Sequence, residues 1–302
     1  MKIIVSGASG LVGTALTKSL HAEGHTVLRL VRKRTPKEVT SAEIRWDPLS
    51  AQVDVPALEG ADAVVHLSGA NVSKGRWTSA RKGVLCSSRL DSTRILVDSL
   101  ARLRRKPRVF ISASAVGYYG NRGDEILTES VGPGSDFLSH LARDWEAEAM
   151  RASQSGMRTV ILRFGVILSS EGGALPEIIR PFKFGVGGRL GSGRQWMSWI
   201  ALPDAVDIIE SSMANAEWNG PLNAVAPEPV RNSEFAQIVG RVLRRPAILP
   251  VPAFMLRLAL GEMADALLLS SQRAIPERLL QSGYAFKLPD LEAALRTMLR
   301  AS

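Results

Sequence analysis

The 302-residue sequence is short of several things. Its single cysteine, Cys86, excludes an internal disulfide and fits a reducing cytoplasm, the expected location. Its four histidines form no cluster with metal-ligand spacing, so no metal is expected. No apolar run reaches the roughly 18 residues of a membrane-crossing helix, and no membrane partner is expected. The chain enters an apolar strand pattern at once, so no signal peptide is expected. Aromatics make up 6% of residues, and there are only three tyrosines, Tyr118, Tyr119 and Tyr284. No internal repeat or low-complexity linker is present.

Acidic residues are also in deficit, 29 against 38 Lys and Arg, a net charge of +9. The excess gathers at Arg32-Lys33-Arg34, from Arg102 to Arg108 and from Arg241 to Arg245. Cations near helix C-termini have a plain dipole explanation, and few aromatics interleave with these clusters. Nucleic acid is therefore not the expected partner; a polar or anionic small molecule is. With 45% hydrophobic residues the chain has enough for one large or two modest cores.

What organises the chain is its opening stretch, Ile3 to Gly13. Ile3-Ile4-Val5 reads as a strand buried on both faces. Glycines follow at positions 7, 10 and 13, and from Leu11 the apolar residues recur at helical spacing until Gly24. Strand, glycine turn and helix form the context of a dinucleotide-binding fingerprint. Gly7 permits the tight turn, Gly10 the close approach of a pyrophosphate, and Gly13 the packing of helix on sheet. Gly7, Ser9, Gly10, Leu11, Val12 and Gly13 are the candidate cradle, with the helix N-terminus offering N–H groups to phosphate.

A second strand, Thr26 to Val31, ends at Arg32. At that position a carboxylate reads a free ribose 2′-hydroxyl and an arginine accepts a 2′-phosphate. Arg32 and Lys33 stand there with no acid, so NADP(H) is expected over NAD(H). Ala63 to Ser68 is another strand. It opens through Leu67, Ser68, Gly69 and Ala70 where a ligand lies beyond parallel strand ends. Ser79 to Leu103 reads as one long helix with Val84, Leu85, Leu96 and Leu100 inward and Arg89 beside them. Arg108 to Ser114 and Thr159 to Leu168 read as strands, with Phe137 to Ala152 a helix between them. The alternation implies an α/β fold, a doubly wound parallel sheet of the Rossmann kind.

From Ser169 the texture changes to a loop rich in glycine, with Arg189, Arg194, Trp196 and Trp199. Ile200 to Ala214 reads as a helix and Pro221 to Ala226 as a strand. Helices follow at Asn232–Leu243, Ala253–Leu269 and Asp290–Leu299. The Ala253 helix is apolar enough to suggest a membrane surface, but Arg257, Glu262 and Asp265 favour a core helix or a subunit contact, the chain being a monomer or homodimer. The expected division is a Rossmann domain at 1–168, completed by 197–226. A smaller, mainly helical substrate lobe takes 169–196 and 227–302.

Taken in order, these residues resemble the extended short-chain dehydrogenase/reductases, in an atypical branch labelled epimerase family protein. The resemblance is carried by Gly-Ala-Ser-Gly-Leu-Val-Gly (7–13), Leu-Ser-Gly-Ala-Asn (67–71), Ser-Arg-Leu (88–90) and Ala-Val-Gly-Tyr-Tyr-Gly (115–120). It continues through Trp-Glu-Ala (145–147), Gly-Ser-Gly-Arg-Gln (191–195) and Asn-Ala-Val-Ala-Pro (223–227). It implies NADP(H) held by the glycine turn, Arg32, residues 67–70 and Arg89, with Ser112 a further contact.

One departure bears on chemistry. Short-chain reductases pair a serine with a tyrosine set four residues before a lysine, which tunes the tyrosine as proton donor. No tyrosine here has a lysine four residues on. Ser114 fits the serine position. Tyr118, Tyr119 or His140, the last with Asp144 one turn later, is left to move the proton. The expected function is an NADP(H)-dependent oxidoreductase or nucleotide-sugar-epimerase-like enzyme. The alternative is a catalytically silent NADP(H)-binding regulator or scaffold linked to cell division.

Overall fold

Ile3, Ile4 and Val5 are fully buried in β1 (Lys2–Ser6), near the middle of an eight-stranded sheet. The computed structural model describes residues 1–32, 42–48, 50 and 52–300; Lys33 and Arg34 lie outside the described residues. The other strands are β2 (Thr26–Val31), β3 (Glu43–Asp47), β4 (Gln52–Val53), β5 (Ala63–His66), β6 (Val109–Ala115), β7 (Arg158–Phe164) and β8 (Gly220–Ala224). Their order is β8-β7-β6-β5-β1-β2-β3-β4. All neighbours run parallel except β4, which returns antiparallel along β3.

Alternating strand residues feed two cores because successive side chains point to opposite faces. Ile3 and Val5 pack with Leu16 and Leu20 of α1 (Leu11–Ala22) and with Ile208 and Ile209 further along the chain. Ile4 packs on the other face with Leu96, Leu100, Ala149 and Ala152. The long helix expected over 79–103 is two, α2 (Ser79–Ser87) and α3 (Leu90–Ala101). At the break the Ala70 N–H donates to Ser88 Oγ at 3.0 Å, tying the junction to the end of β5. Val84 points outward, 47% exposed, since α2 buries only Leu85.

Beyond α4 (Phe137–Gln154) the expected strand 159–168 is also divided. A Cβ on Gly165 would lie 2.6 Å from the Ser198 carbonyl oxygen. The chain turns there, and Val166–Leu168 pairs with Trp199–Ala201 instead of the main sheet. A third core joins α5 (Ala174–Lys183), α7 (Asn232–Leu243) and α9 (Leu291–Arg300) through Leu175, Phe182, Trp199, Phe235 and Leu295. Between them α6 (Leu202–Ala214) returns the chain to β8 at the sheet edge. The helix expected over 253–269 stops early. α8 (Ala253–Leu260) ends at Gly261, whose φ is +64°, and none of its residues is buried, so it is no core helix.

Candidate functional site

β1 lies between β5 and β2, where the strand order reverses, the place at which ligands of open parallel sheets bind beyond the carboxyl ends of the strands. Gly7 turns at φ +68°, and a Cβ on it would meet the Leu67 carbonyl oxygen at 2.7 Å. A Cβ on Gly13 would lie 2.2 Å from the Gly7 carbonyl oxygen. Both glycines are dictated by packing. Gly10 is exposed, and a Cβ there would meet only the Gly7 oxygen, at 3.3 Å. No side chain caps α1, so its first N–H groups, at Leu11 and Val12, stay available beside exposed Ser9.

Arg32 is exposed immediately after β2. On the other side of β1, Arg89 rises from the α2–α3 break and donates to the Ala70 carbonyl at 3.1 Å and the Leu85 carbonyl at 3.3 Å. Its guanidinium carbon lies 5.2 Å from the Trp145 ring centre. A Cβ on Gly69 would sit 3.2 Å from that guanidinium. Burial lowers Arg89 to about 10, which leaves it charged at neutrality. Leu67 and Ser68 are half-buried along the same edge. Ser112 is fully buried, and its hydroxyl donates to the Ala113 carbonyl at 3.2 Å.

The serine and tyrosines expected to do chemistry are joined in one buried network. Ser114 Oγ donates to Glu146 Oε1 at 2.6 Å. Glu146 receives Arg163 of β7 through two bonds, Nε to Oε1 at 2.9 Å and Nη2 to Oε2 at 2.8 Å. Arg163 Nη1 donates to the Tyr119 hydroxyl at 2.9 Å, and Tyr119 in turn donates to Asn223 Oδ1 at 2.7 Å. Burial pushes the Tyr119 phenol up to about 12, against the pull of Arg163. Burial also acts to lower Arg163, but the bound Glu146 carboxylate outweighs it and holds the guanidinium firmly protonated. Tyr118 is half-buried, its ring centre 3.6 Å from the Arg163 guanidinium carbon. Its hydroxyl has no hydrogen-bond partner among the described residues.

His140 is exposed on α4, and Asp144 pairs with Arg143 at 2.8 Å, so the expected His140–Asp144 pair does not form. Glu146, Arg163 and Asn223 were not anticipated from sequence. The available signal was Arg163, a charge in the otherwise apolar run Thr159–Leu168.

A second buried chain links the glycine turn to Arg89. Ser6 Oγ lies 2.7 Å from His66 Nδ1, and His66 Nε2 lies 3.0 Å from Thr93 Oγ1. Thr93 Oγ1 also accepts the Trp145 indole N–H at 2.9 Å. Burial holds His66 down at about 3, so it is neutral in the fold. The unfolded chain protonates near the ordinary 6.5, so between these values it binds more protons and stability falls as pH drops. The slope approaches about 1.4 kcal/mol per pH unit, roughly 2 kcal/mol between neutrality and pH 5. Urea unfolding at both pH values is expected to show this loss in the wild type and a flatter response in His66→Asn. Equal slopes would assign the titration to another group.

The glycine-rich segment after Ser169 brings further cations together. Trp196 lies between Arg231 and Arg273, whose guanidinium carbons are 4.6 and 4.5 Å from its ring. Asp124 accepts the Trp196 indole N–H at 2.7 Å and pairs with Arg231 at 3.0 Å. A cavity of about 260 Å³ opens here, lined by Asp124, Arg194, Gln195, Arg231 and Ser271 among others. Arg189 is turned aside and donates to the carbonyls of Gly191 and Ser192.

The sequence profile of the NAD dependent epimerase/dehydratase family matches residues 3–223, and a domain of unknown function, DUF1731, matches residues 251–298. The chain is 45% identical to the epimerase family protein MT2273 of Mycobacterium tuberculosis over 284 residues, 94% of this chain and 93% of that one. It is 36% identical to human SDR39U1 over 299 residues, 98% and 99% of the two chains. In three dimensions it is similar to human SDR39U1 (isoform 2), crystallised with NADPH, at a TM-score of 0.91 and 34% identity over 100% of both chains. A nucleoside-diphosphate sugar epimerase from Corynebacterium glutamicum matches at a TM-score of 0.81 and 37% identity, over 99% of this chain and 58% of that one. With its reversed strand order, glycine turn and these matches, the chain belongs to the NAD dependent epimerase/dehydratase family.

Proposed function

We propose that the protein binds NADP(H) at the β1–α1 turn and acts as an oxidoreductase or nucleotide-sugar-epimerase-like enzyme on a polar or anionic small molecule. The observation that carries this reading is the uncapped α1 N-terminus, open at the strand ends between exposed Arg32 and half-buried Arg89. A helix N-terminus with a cation on either side suits a polyphosphate, and the missing Cβ atoms of Gly10 and Gly69 leave room for it. The human relative crystallised with NADPH supports the same choice. The cofactor-binding part is residues 1–168 with 197–226. The lobe of 169–196 and 227–302 receives the substrate, whose anionic group meets Arg194, Arg231 and Arg273.

NADP(H), when bound, supplies hydride-transfer chemistry; the chain must supply the proton. Ser114 and Tyr119 have their hydroxyl protons engaged by Glu146 and Asn223. Tyr118 is the candidate with a free hydroxyl, seated on the Arg163 guanidinium, and is assigned the proton transfer. The Ser114–Glu146–Arg163 network holds that guanidinium in place. The same engagement favours a second reading, an NADP(H)-binding regulator or scaffold without turnover, possible because no lysine backs a tyrosine.

Titration with both cofactors tests the binding site. NADPH is expected to bind at least about tenfold tighter than NADH. Arg32→Ala loses charge-assisted hydrogen bonds of about 1.5–3 kcal/mol, roughly ten- to a hundredfold in NADPH affinity. Unchanged affinity rejects the role of Arg32. A screen for turnover tests the chemistry: Tyr118→Phe is expected to lower kcat by about 10²–10⁴ with NADPH affinity retained. If Ser114→Ala, Tyr118→Phe, Tyr119→Phe and His140→Gln all react like wild type, the catalytic assignment fails. NADPH binding without any turnover hands the case to the regulator reading.

A further inference from the structure

Seven of the eleven large apolar side chains exposed in the described chain fall on two adjoining segments. One is the loop after α5, with Phe184 and Val186. The other holds Ile248 and Leu249 and continues into α8 with Phe254, Met255 and Leu258. Phe184, Ile248 and Leu258 are 75–76% exposed. Backbone bonds join the segments into one surface: Leu249 N–H to the Gly187 carbonyl at 3.3 Å, and Val251 N–H to the Arg189 carbonyl at 2.9 Å. At the C-terminal end of α8 Arg76 donates to the Leu258 and Ala259 carbonyls, and Lys82 meets Glu262, just beyond the helix, at 2.6 Å.

The charge on this surface has one sign. No Asp or Glu occurs from Ile178 to Pro203, or from Phe235 to Gly261. Arg180, Lys183 and Arg189 are exposed on the first stretch, Arg244 and Arg245 on the second. Of the neighbouring acids, Glu292 pairs with Arg241 and Asp265 with Arg257, each at 2.9 Å, while exposed Glu177 and Glu234 border the two stretches. A cavity of about 470 Å³ runs between Arg241, Arg244, Arg245 and Ile248, where the basic and apolar parts meet.

We propose that this face docks on an anionic lipid surface. Its apolar side chains enter the headgroup layer, and Arg244, Arg245 and Lys183 pair with lipid phosphates. A two-fold contact with a second copy would set like charges against each other. A bound peptide would call for a groove lined by these apolar side chains, whereas of the seven only Ile248 borders the cavity and the others project into solvent. The contact proposed is peripheral, since no helix of the described chain is long and apolar enough to cross a bilayer.

The test is co-sedimentation of the full chain, with NADPH present, on phosphatidylcholine vesicles with and without roughly one-third phosphatidylglycerol. Binding is expected on the phosphatidylglycerol vesicles only, and is expected to weaken at high salt. It should fall about tenfold or more in Arg244→Glu/Arg245→Glu and in Phe254→Ser/Leu258→Ser. Both variants lie on the surface, and circular dichroism and NADPH titration are expected to match wild type. Failure to bind phosphatidylglycerol vesicles, or undiminished binding by both variants, overturns the proposal. So does a dimer in sedimentation velocity that Phe254→Ser/Leu258→Ser abolishes, or capture of an acidic protein without vesicle binding.

Discussion

Arg163→Met is expected to destabilise the protein by about 3–5 kcal/mol, the cost of breaking a buried ion pair from one side. Arg163 is 3% exposed and joins Glu146, Tyr119 and, by stacking, Tyr118. Removing the guanidinium leaves the Glu146 carboxylate buried with only the Ser114 hydroxyl from that network for company. Two comparisons isolate the cause. Arg151→Met breaks the partly exposed pairs with Asp98, at 2.7 Å, and Glu148, at 2.9 Å, and is expected to cost no more than about 1 kcal/mol. Arg163→Met/Glu146→Met removes both charges and is expected to recover much of the loss, because no uncompensated charge remains. Urea unfolding at neutral pH measures all three. A single-variant loss near that of Arg151→Met would mean that the network carries little of the fold's stability.

Gly10→Val is expected to lower NADPH affinity by about a hundredfold or more, some 2.7 kcal/mol, in a protein that still folds. The added Cβ meets nothing but the Gly7 carbonyl oxygen at 3.3 Å, so the turn needs to yield only slightly. Its two methyl groups occupy the opening through which backbone reaches a pyrophosphate. Gly13→Ala makes the contrast: its Cβ at 2.2 Å from the Gly7 oxygen forces α1 off the turn and is expected to damage the fold first. Circular dichroism with a binding titration separates the two effects. A folded Gly10→Val protein with unchanged affinity would move the proposed cofactor site away from this turn.

Several features were legible because local chemistry decides them. A glycine turn between a strand and a helix needs no distant partner to be recognised, and Ile3-Ile4-Val5 announces burial on both faces by lacking alternation. The position after β2 is set by counting from that turn, which is how Arg32 is found. The alternation of strand and helix likewise pointed to the parallel sheet. Breaks were less legible. Ser79–Leu103 has helical periodicity throughout, yet it divides at Arg89, where Ser88 accepts a bond from Ala70. Thr159–Leu168 reads as one strand, yet Gly165 turns it because the Ser198 carbonyl passes too close for a Cβ.

The sequence by itself determined the fold class, the glycine turn, the basic excess and the absence of a Tyr-Lys pair, since each is a matter of residue type and short spacing. Only the tertiary structure decided which polar groups are already engaged. Ser114 and Tyr119 carry hydroxyls in any conformation, but their availability depends on Glu146, on Arg163 and on Asn223, which lies 104 residues from Tyr119. His140 shares α4 with Glu146, six positions along and on a different face; one is exposed and the other buried. A buried polar group must find a partner or bear the cost of desolvation, and that partner is supplied by chain topology, to which residue type and local spacing are blind.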